Sequence, residues 1–223
     1  MATTVHEPPI ITDRPTNGGG APPAIPPLEE RPRSVSDRQP EPARTGIWIA
    51  LAAIAMSFAA FTSALIVRQG SPANDWQHIL IPRILYLNTA ILILSSLTLE
   101  IARRKTASFI RAQGATRTQA MAWLFGTLGL GLVFVAGQYV AWLQLRSDGL
   151  YLATNPNSSF FYLLTAVHAV HVLGGLGGLA RVIHRLAPAT PVLRKSTMDA
   201  TSYYWHFMGI LWIYLLITLV LKL

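Results

Sequence analysis

Apolar residues along this chain do not alternate with polar ones. They come in long blocks separated by short charged clusters. No Asp, Glu, Lys or Arg falls between Arg44 and Arg68, Arg117 and Arg146, Asp148 and Arg181, or Asp199 and Lys222. Each gap exceeds the ~20 residues a helix needs to cross bilayer hydrocarbon. A fifth stretch, ILIPRILYLNTAILILSSLTLEI from Ile79 to Ile101, carries Arg83 and Glu100 only near its ends, where long side chains reach the interface. Pro82 falls in its first turn, where a missing N–H costs little. The pattern predicts helices over about 46–67, 79–102, 118–145, 158–184 and 200–221. The fold class is all-α, an integral membrane bundle of five transmembrane helices spanning residues 45–223.

Composition agrees. Only 13% of the 223 residues are charged, against roughly 25% in soluble domains. The absence of cysteine excludes disulfides, iron–sulfur clusters and thiolate metal sites. Residues 1–44 are of another kind. They are rich in proline and lack apolar periodicity, so they cannot bury enough surface to offset ordering entropy. They are expected to form a disordered Pro-rich tail, and no apolar core near Met1 suggests a cleavable signal peptide.

Charge sets the orientation. The tail, the 103–117 connection and the 181–195 connection share one face of a five-helix bundle and hold fourteen of the 18 Lys and Arg residues. Arg68, Arg83, Arg146 and Lys222 lie on the other. The positive-inside rule places the N-terminus in the cytoplasm and the C-terminus outside, as in a multi-pass protein of a bacterial plasma (inner) membrane. Arg103, Arg104 and Arg181 are candidates for lipid headgroups. No folded basic surface suggests nucleic acid.

Polar groups inside the membrane are costly unless paired. In HAVHVLGGLGG, His168 and His171 lie one turn apart on one helix face, and Gly175 and Gly178 continue it. Gly174 and Gly178 form a GxxxG that admits a neighbouring backbone. The third helix carries Gly126, Gly129, Gly131 and Gly137 for close packing, and Gln138 as the one amide of its central stretch 123–142, in search of an interhelical partner. In the second helix Thr89, Ser95 and Ser96 can bond their own i−4 carbonyls, whereas Asn88 needs a cap or a neighbour. A haem held by His168 or His171 with His206 is the competing reading. The two sides differ in depth by several ångströms or more at 1.5 Å per residue, which disfavours it. No carboxylate lies at a membrane centre, and there is no inverted repeat of the kind transporters show.

Several of these segments together resemble subunit III of the haem–copper terminal oxidases, the cytochrome c oxidase subunit 3 family. GIWIALAAIAMSFAAF, with Trp48, is similar to the family's first-helix opening. LYLNTAILILSSLTL carries its Asn–Thr and Ser–Ser pattern as Asn88, Thr89, Ser95 and Ser96, and Gln138 matches its third-helix glutamine. SSFFYLLTAVHAVHVLGGL resembles its run of aromatic, Thr165, His168, His171 and glycine. YYWHFMGILWIYLL resembles its Tyr–Trp–His–Phe signature, here Tyr204, Trp205, His206 and Phe207. Three positions depart: Ile54, Ala141 and Gly209 stand where relatives carry carboxylates.

The resemblance implies the five-helix form of a non-catalytic accessory subunit. Such a chain would have no catalytic residue, metal ligand or cofactor of its own. It would bind phospholipid, assemble with the catalytic subunit I and other oxidase subunits, and support proton uptake during aerobic electron transport. Haem and copper would sit in the partner catalytic subunit. An independent haem b-binding quinol or electron-transfer membrane protein is the alternative.

Overall fold

The computed structural model describes residues 42–71, 82–111, 114–152, 155–188 and 195–222. The expected tail lies outside them, apart from its last three residues, which open the first helix. Five helices run in order: α1 Pro42–Gln69, α2 Ile84–Ile110, α3 Arg117–Ser147, α4 Pro156–Leu186 and α5 Lys195–Lys222. All five are long and apolar enough to cross a membrane, and the described residues hold no strand.

Each helix except α2 extends beyond the predicted span at both ends. Charges at the interface do not break a helix; glycine and proline do. Thus α2 passes through Arg103, Arg104 and Lys105 and stops only before Gly114, whose φ is +83°. It begins later than predicted, at Ile84, because the Pro82 carbonyl takes the Leu85 N–H and starts the first turn there. Thr116 caps α3 by accepting from the Gln119 N–H at 3.3 Å. At its other end Gly149, φ +79°, turns the chain while the Leu150 N–H reaches back to the Leu145 carbonyl. Pro156 opens α4 behind Asn155, whose N–H donates to Ser158 Oγ at 3.2 Å.

The helices α2, α3, α4 and α5 form a closed ring in which each packs on the next and α5 closes onto α2. The first helix packs on α5 and α4, covering the groove between them. Sequence neighbours α1 and α2 are therefore not neighbours in space.

Two seams show how sequence specifies this packing. The buried residues of α3 are Ala120, Leu124, Thr127, Gly131, Phe134, Gln138, Ala141 and Leu145. Those of α2 are Leu85, Asn88, Leu92, Ser95, Leu99, Ala102 and Thr106. Both alternate steps of three and four, the 3.5-residue repeat of a coiled-coil seam. Lipid is as apolar as leucine, so van der Waals fit and interhelical hydrogen bonds hold these seams together. Some large apolar side chains outside them, such as Val133 and Ile210, are exposed.

Candidate functional site

Asn88, Ser95, Gln138, Thr165 and His168, polar residues singled out in the sequence, are buried where the helices meet. Trp205 of α5 is the centre of this arrangement. Its ring is buried between α3 and α4, where glycines make room. A Cβ on Gly131 would come within 2.8 Å of the indole and 2.7 Å of Leu176. One on Gly175 would come within 3.0 Å of the indole and 3.1 Å of Tyr204. The indole N–H then donates to Ser95 Oγ of α2 at 3.0 Å. One side chain thereby joins four helices. Tyr204 beside it donates its hydroxyl to the His171 carbonyl of α4 at 2.9 Å.

A hydrogen-bond arrangement recurs three times. Trp205 donates to Ser95, which donates to the Leu92 carbonyl at 2.8 Å. Trp212 donates to Thr89 at 3.0 Å, and Thr89 donates to the Leu85 carbonyl at 2.8 Å. Trp142 donates to Thr165 at 3.0 Å, and Thr165 donates to the Phe161 carbonyl at 2.7 Å. In each case a hydroxyl bonded to its own helix backbone becomes the acceptor for an indole on another helix. Thr165→Val is expected to leave the Trp142 N–H without that acceptor and to cost about 1 kcal/mol, within the range for interhelical bonds in membranes. Thermal unfolding in detergent would register it as a lowered midpoint; an unchanged midpoint would contradict the assignment.

His168 is fully buried, and aromatic rings enclose it. Centroids of Trp212, Phe134 and Phe58 lie 5.0, 6.0 and 6.4 Å from that of its own ring. Neither ring nitrogen has a hydrogen-bond partner among the described residues. His171, one turn on, places Nδ1 2.7 Å from the Val167 carbonyl, so that nitrogen carries the proton. Its ring meets Phe58 at 5.8 Å, linking α4 to α1.

His206 lies elsewhere, lining a groove between α2 and α5 with Ser96 and Glu100. The fold does not bring His206 to a common ligand position with either histidine of α4. Rings on three helices fill the space around His168 that a porphyrin would need. Among the described residues no three His, Asp or Glu side chains gather as a metal site.

The remaining residues are distributed as follows. Asn88 is buried, its amide pressed against Gly137, and its Nδ2 has no partner among the described residues. Gln138 is buried with both amide atoms unpartnered among them, so the expected interhelical bond is not formed. Trp48 is half-exposed and stacks on Tyr203 at 6.0 Å. The close approach on α4 is made at Gly175. Gly174 is exposed, with Tyr204 Oη 3.5 Å from a Cβ, and the nearest atoms to one on Gly178 are at 3.8 Å. Arg103 donates twice to Glu100, at 2.8 and 2.9 Å, and once to Asp199 of α5 at 3.3 Å; Arg104 donates to Glu100 at 2.8 Å. Arg181 is exposed. Ile54 is half-buried and Ala141 fully buried, while Gly209 lines the α2–α5 groove. Sequence reasoning passed over Trp212, Phe58 and Phe134. For Phe134 the three-four spacing of the α3 seam was the available signal.

Fold and interior together define a five-helix multi-pass membrane protein in which three indole–hydroxyl bonds join helices across the interior. Comparison with known proteins gives the family. The family model for cytochrome c oxidase subunit III matches residues 49–221. Cytochrome c oxidase subunit 3 of Corynebacterium diphtheriae is 31% identical over 155 residues, 69% of this chain and 72% of the relative. A probable cytochrome c oxidase subunit 3 of Nocardia farcinica is 29% identical over 190 residues, 81% of this chain and 88% of the relative. The chain belongs to the cytochrome c oxidase subunit III family and so to a complex with other oxidase subunits.

Proposed function

We propose that the chain is a non-catalytic accessory subunit that packs on the haem–copper catalytic subunit, binds phospholipid, and supports assembly and proton uptake. The observation that carries this reading is the Trp205 junction. Its partners Ser95, Gly131 and Gly175 are occupied in holding four helices together. A scaffold needs such a junction, whereas a redox site would need two imidazoles facing one space, and His206 lines a groove that neither His168 nor His171 enters. Haem and copper then belong to the partner.

The basic residues support a cytoplasmic N-terminus. Arg103, Arg104, Lys105, Arg111, Arg117, Arg181 and Arg185 gather at the end where α2 meets α3 and α4 leaves toward α5. Arg68, Arg83, Arg146 and Lys222 stand at the opposite end.

His171→Ala tests the scaffold role, because it removes the ring that seats α1 on α4. The yield of assembled oxidase is expected to fall severalfold, with turnover per haem unchanged in what assembles. A complex formed in normal yield with slowed proton uptake would refute it.

A further inference from the structure

Three buried polar side chains stand at one depth of the helix ring without a role in the indole–hydroxyl bonds. They are Asn88 of α2, Gln138 of α3 and His168 of α4, none more than 1% exposed. Among the described residues Asn88 Nδ2, both amide atoms of Gln138 and both ring nitrogens of His168 have no hydrogen-bond partner.

The contacts around them fix the depth. The Asn88 amide lies against Gly137, and Gln138 follows on the same turn of α3. Along α3, Gln138 stands one turn from Phe134 on one side and one turn from Trp142 on the other. The ring of Phe134 lies 6.0 Å from that of His168, and Trp142 donates to Thr165, one turn before His168 on α4. Gln138 is therefore set against the turn from Thr165 to His168. Trp212 closes the level from α5. Its N–H is on Thr89, the neighbour of Asn88, and its ring lies 5.0 Å from that of His168.

Chemistry selects the ligand. A buried amide or imidazole that cannot turn to bulk solvent finds its partner in the protein or in an ordered molecule. Asn88 Nδ2 and Gln138 Nε2 only donate, and Gln138 Oε1 only accepts. A neutral imidazole donates through one nitrogen and accepts through the other. The ligand must therefore both accept and donate. A metal cation would face amide N–H groups with no carboxylate beside them, since Glu100, Asp148 and Asp199, the acidic side chains among the described residues, stand several turns away. The rings of Phe58, Phe134 and Trp212 around His168 favour a small ligand. Water meets each condition, and a buried water typically makes about three such bonds.

We infer that a water molecule is bound at this level, accepting from the amide N–H groups of Asn88 and Gln138 and donating to a ring nitrogen of His168. Gln138 thereby gains the interhelical link that direct contact does not supply, and one ligand joins α2, α3 and α4. The inference goes beyond the proposed function and does not depend on it.

The test keeps the chain with its oxidase partners in nanodiscs and exposes it to brief X-ray pulses in heavy-oxygen water. Hydroxyl radicals made from a bound water oxidise the side chains that touch it, and mass spectrometry locates the label. Phe134 and His168 are expected to take up label severalfold faster than Trp205, which is as deeply buried. Indole reacts with hydroxyl radical at least as readily as phenyl or imidazole, so intrinsic reactivity would give the opposite order. Gln138→Leu keeps nearly the same volume and withdraws one partner from the water. It should bring labelling of Phe134 and His168 down to that of Trp205 and lower the thermal midpoint, because Asn88 and His168 lose their ligand. A dry, unpaired Gln138 would instead make the leucine variant more stable. Labelling of Phe134 and His168 no faster than that of Trp205, or a raised midpoint in Gln138→Leu, would overturn the site. The wild-type comparison decides even where the variant does not assemble.

Discussion

Trp205→Ala is expected to disrupt the centre of the bundle more than any other single truncation. It removes a fully buried indole that touches α3 and α4 and bonds α2. Two glycine-lined hollows are left facing each other, and lipid cannot fill them. Large-to-small changes at buried aromatics cost about 3–5 kcal/mol in well-packed cores. Packing is also the main force between helices in lipid, so the variant loses what chiefly holds the bundle together. The folded fraction after extraction in mild detergent should drop sharply, with a large fall in the thermal midpoint. Trp205→Phe separates the two contributions. It keeps a ring against Gly131 and Gly175 and loses only the N–H to Ser95, so it should cost about 1 kcal/mol. Equal loss in both variants would mean that the hydrogen bond, and not the packing, is the main contribution.

Gly131→Leu should be comparably severe from the other side of the same contact. Even the first carbon would overlap Leu176 and the Trp205 ring. Overpacking by a few methylenes costs about 1–3 kcal/mol, and here the obstructing indole is itself locked. The contrast is Gly126→Leu, earlier in the same glycine-rich stretch, where a Cβ would meet nothing within 4 Å. The expected outcome is loss of folded protein for Gly131→Leu and wild-type yield for Gly126→Leu, read by fluorescence-detected gel filtration. Equal yields would show that α3 does not pack through Gly131.

That contrast also shows what the sequence could and could not reveal. The existence of five spans was legible because charge is excluded from hydrocarbon, and the gaps between charges are long enough to measure. Helix ends were less legible, since α2 continues through Arg103, Arg104 and Lys105 outside the hydrocarbon. Gly126, Gly129, Gly131 and Gly137 were equal candidates for close contact on composition. Only Gly131 falls in the three-four series from Ala120 to Leu145. Gly137, beside that series, meets Asn88. Phase within the seam accounts for Gly131, whereas the contact at Gly137 depends on where Asn88 of α2 falls opposite it.

The polar positions were legible as residues needing partners, but not their partners. Thr89 was expected to bond its own i−4 carbonyl and does; Ser95 bonds the i−3 carbonyl of Leu92 instead, and Ser96 makes no such bond among the described residues. The second role of Ser95 and Thr89, as acceptors for Trp205 and Trp212, depends on α5 closing onto α2. That neighbour relation is absent from the linear order, as is the seating of α1 on α4 and α5. The histidines show the same limit. Spacing put His168 and His171 on one helical face, yet aromatic rings from three other helices enclose the first, and the second bonds its own backbone.

The central claim is that this chain is a scaffold bound to a catalytic partner. Affinity purification of the tagged chain in mild detergent tests it most directly, with a haem spectrum and mass spectrometry of the co-purifying proteins. The account predicts that a large haem–copper subunit comes down with the chain, and that the chain stripped of it is colourless. A chain that purifies alone and carries its own haem absorbance would contradict it.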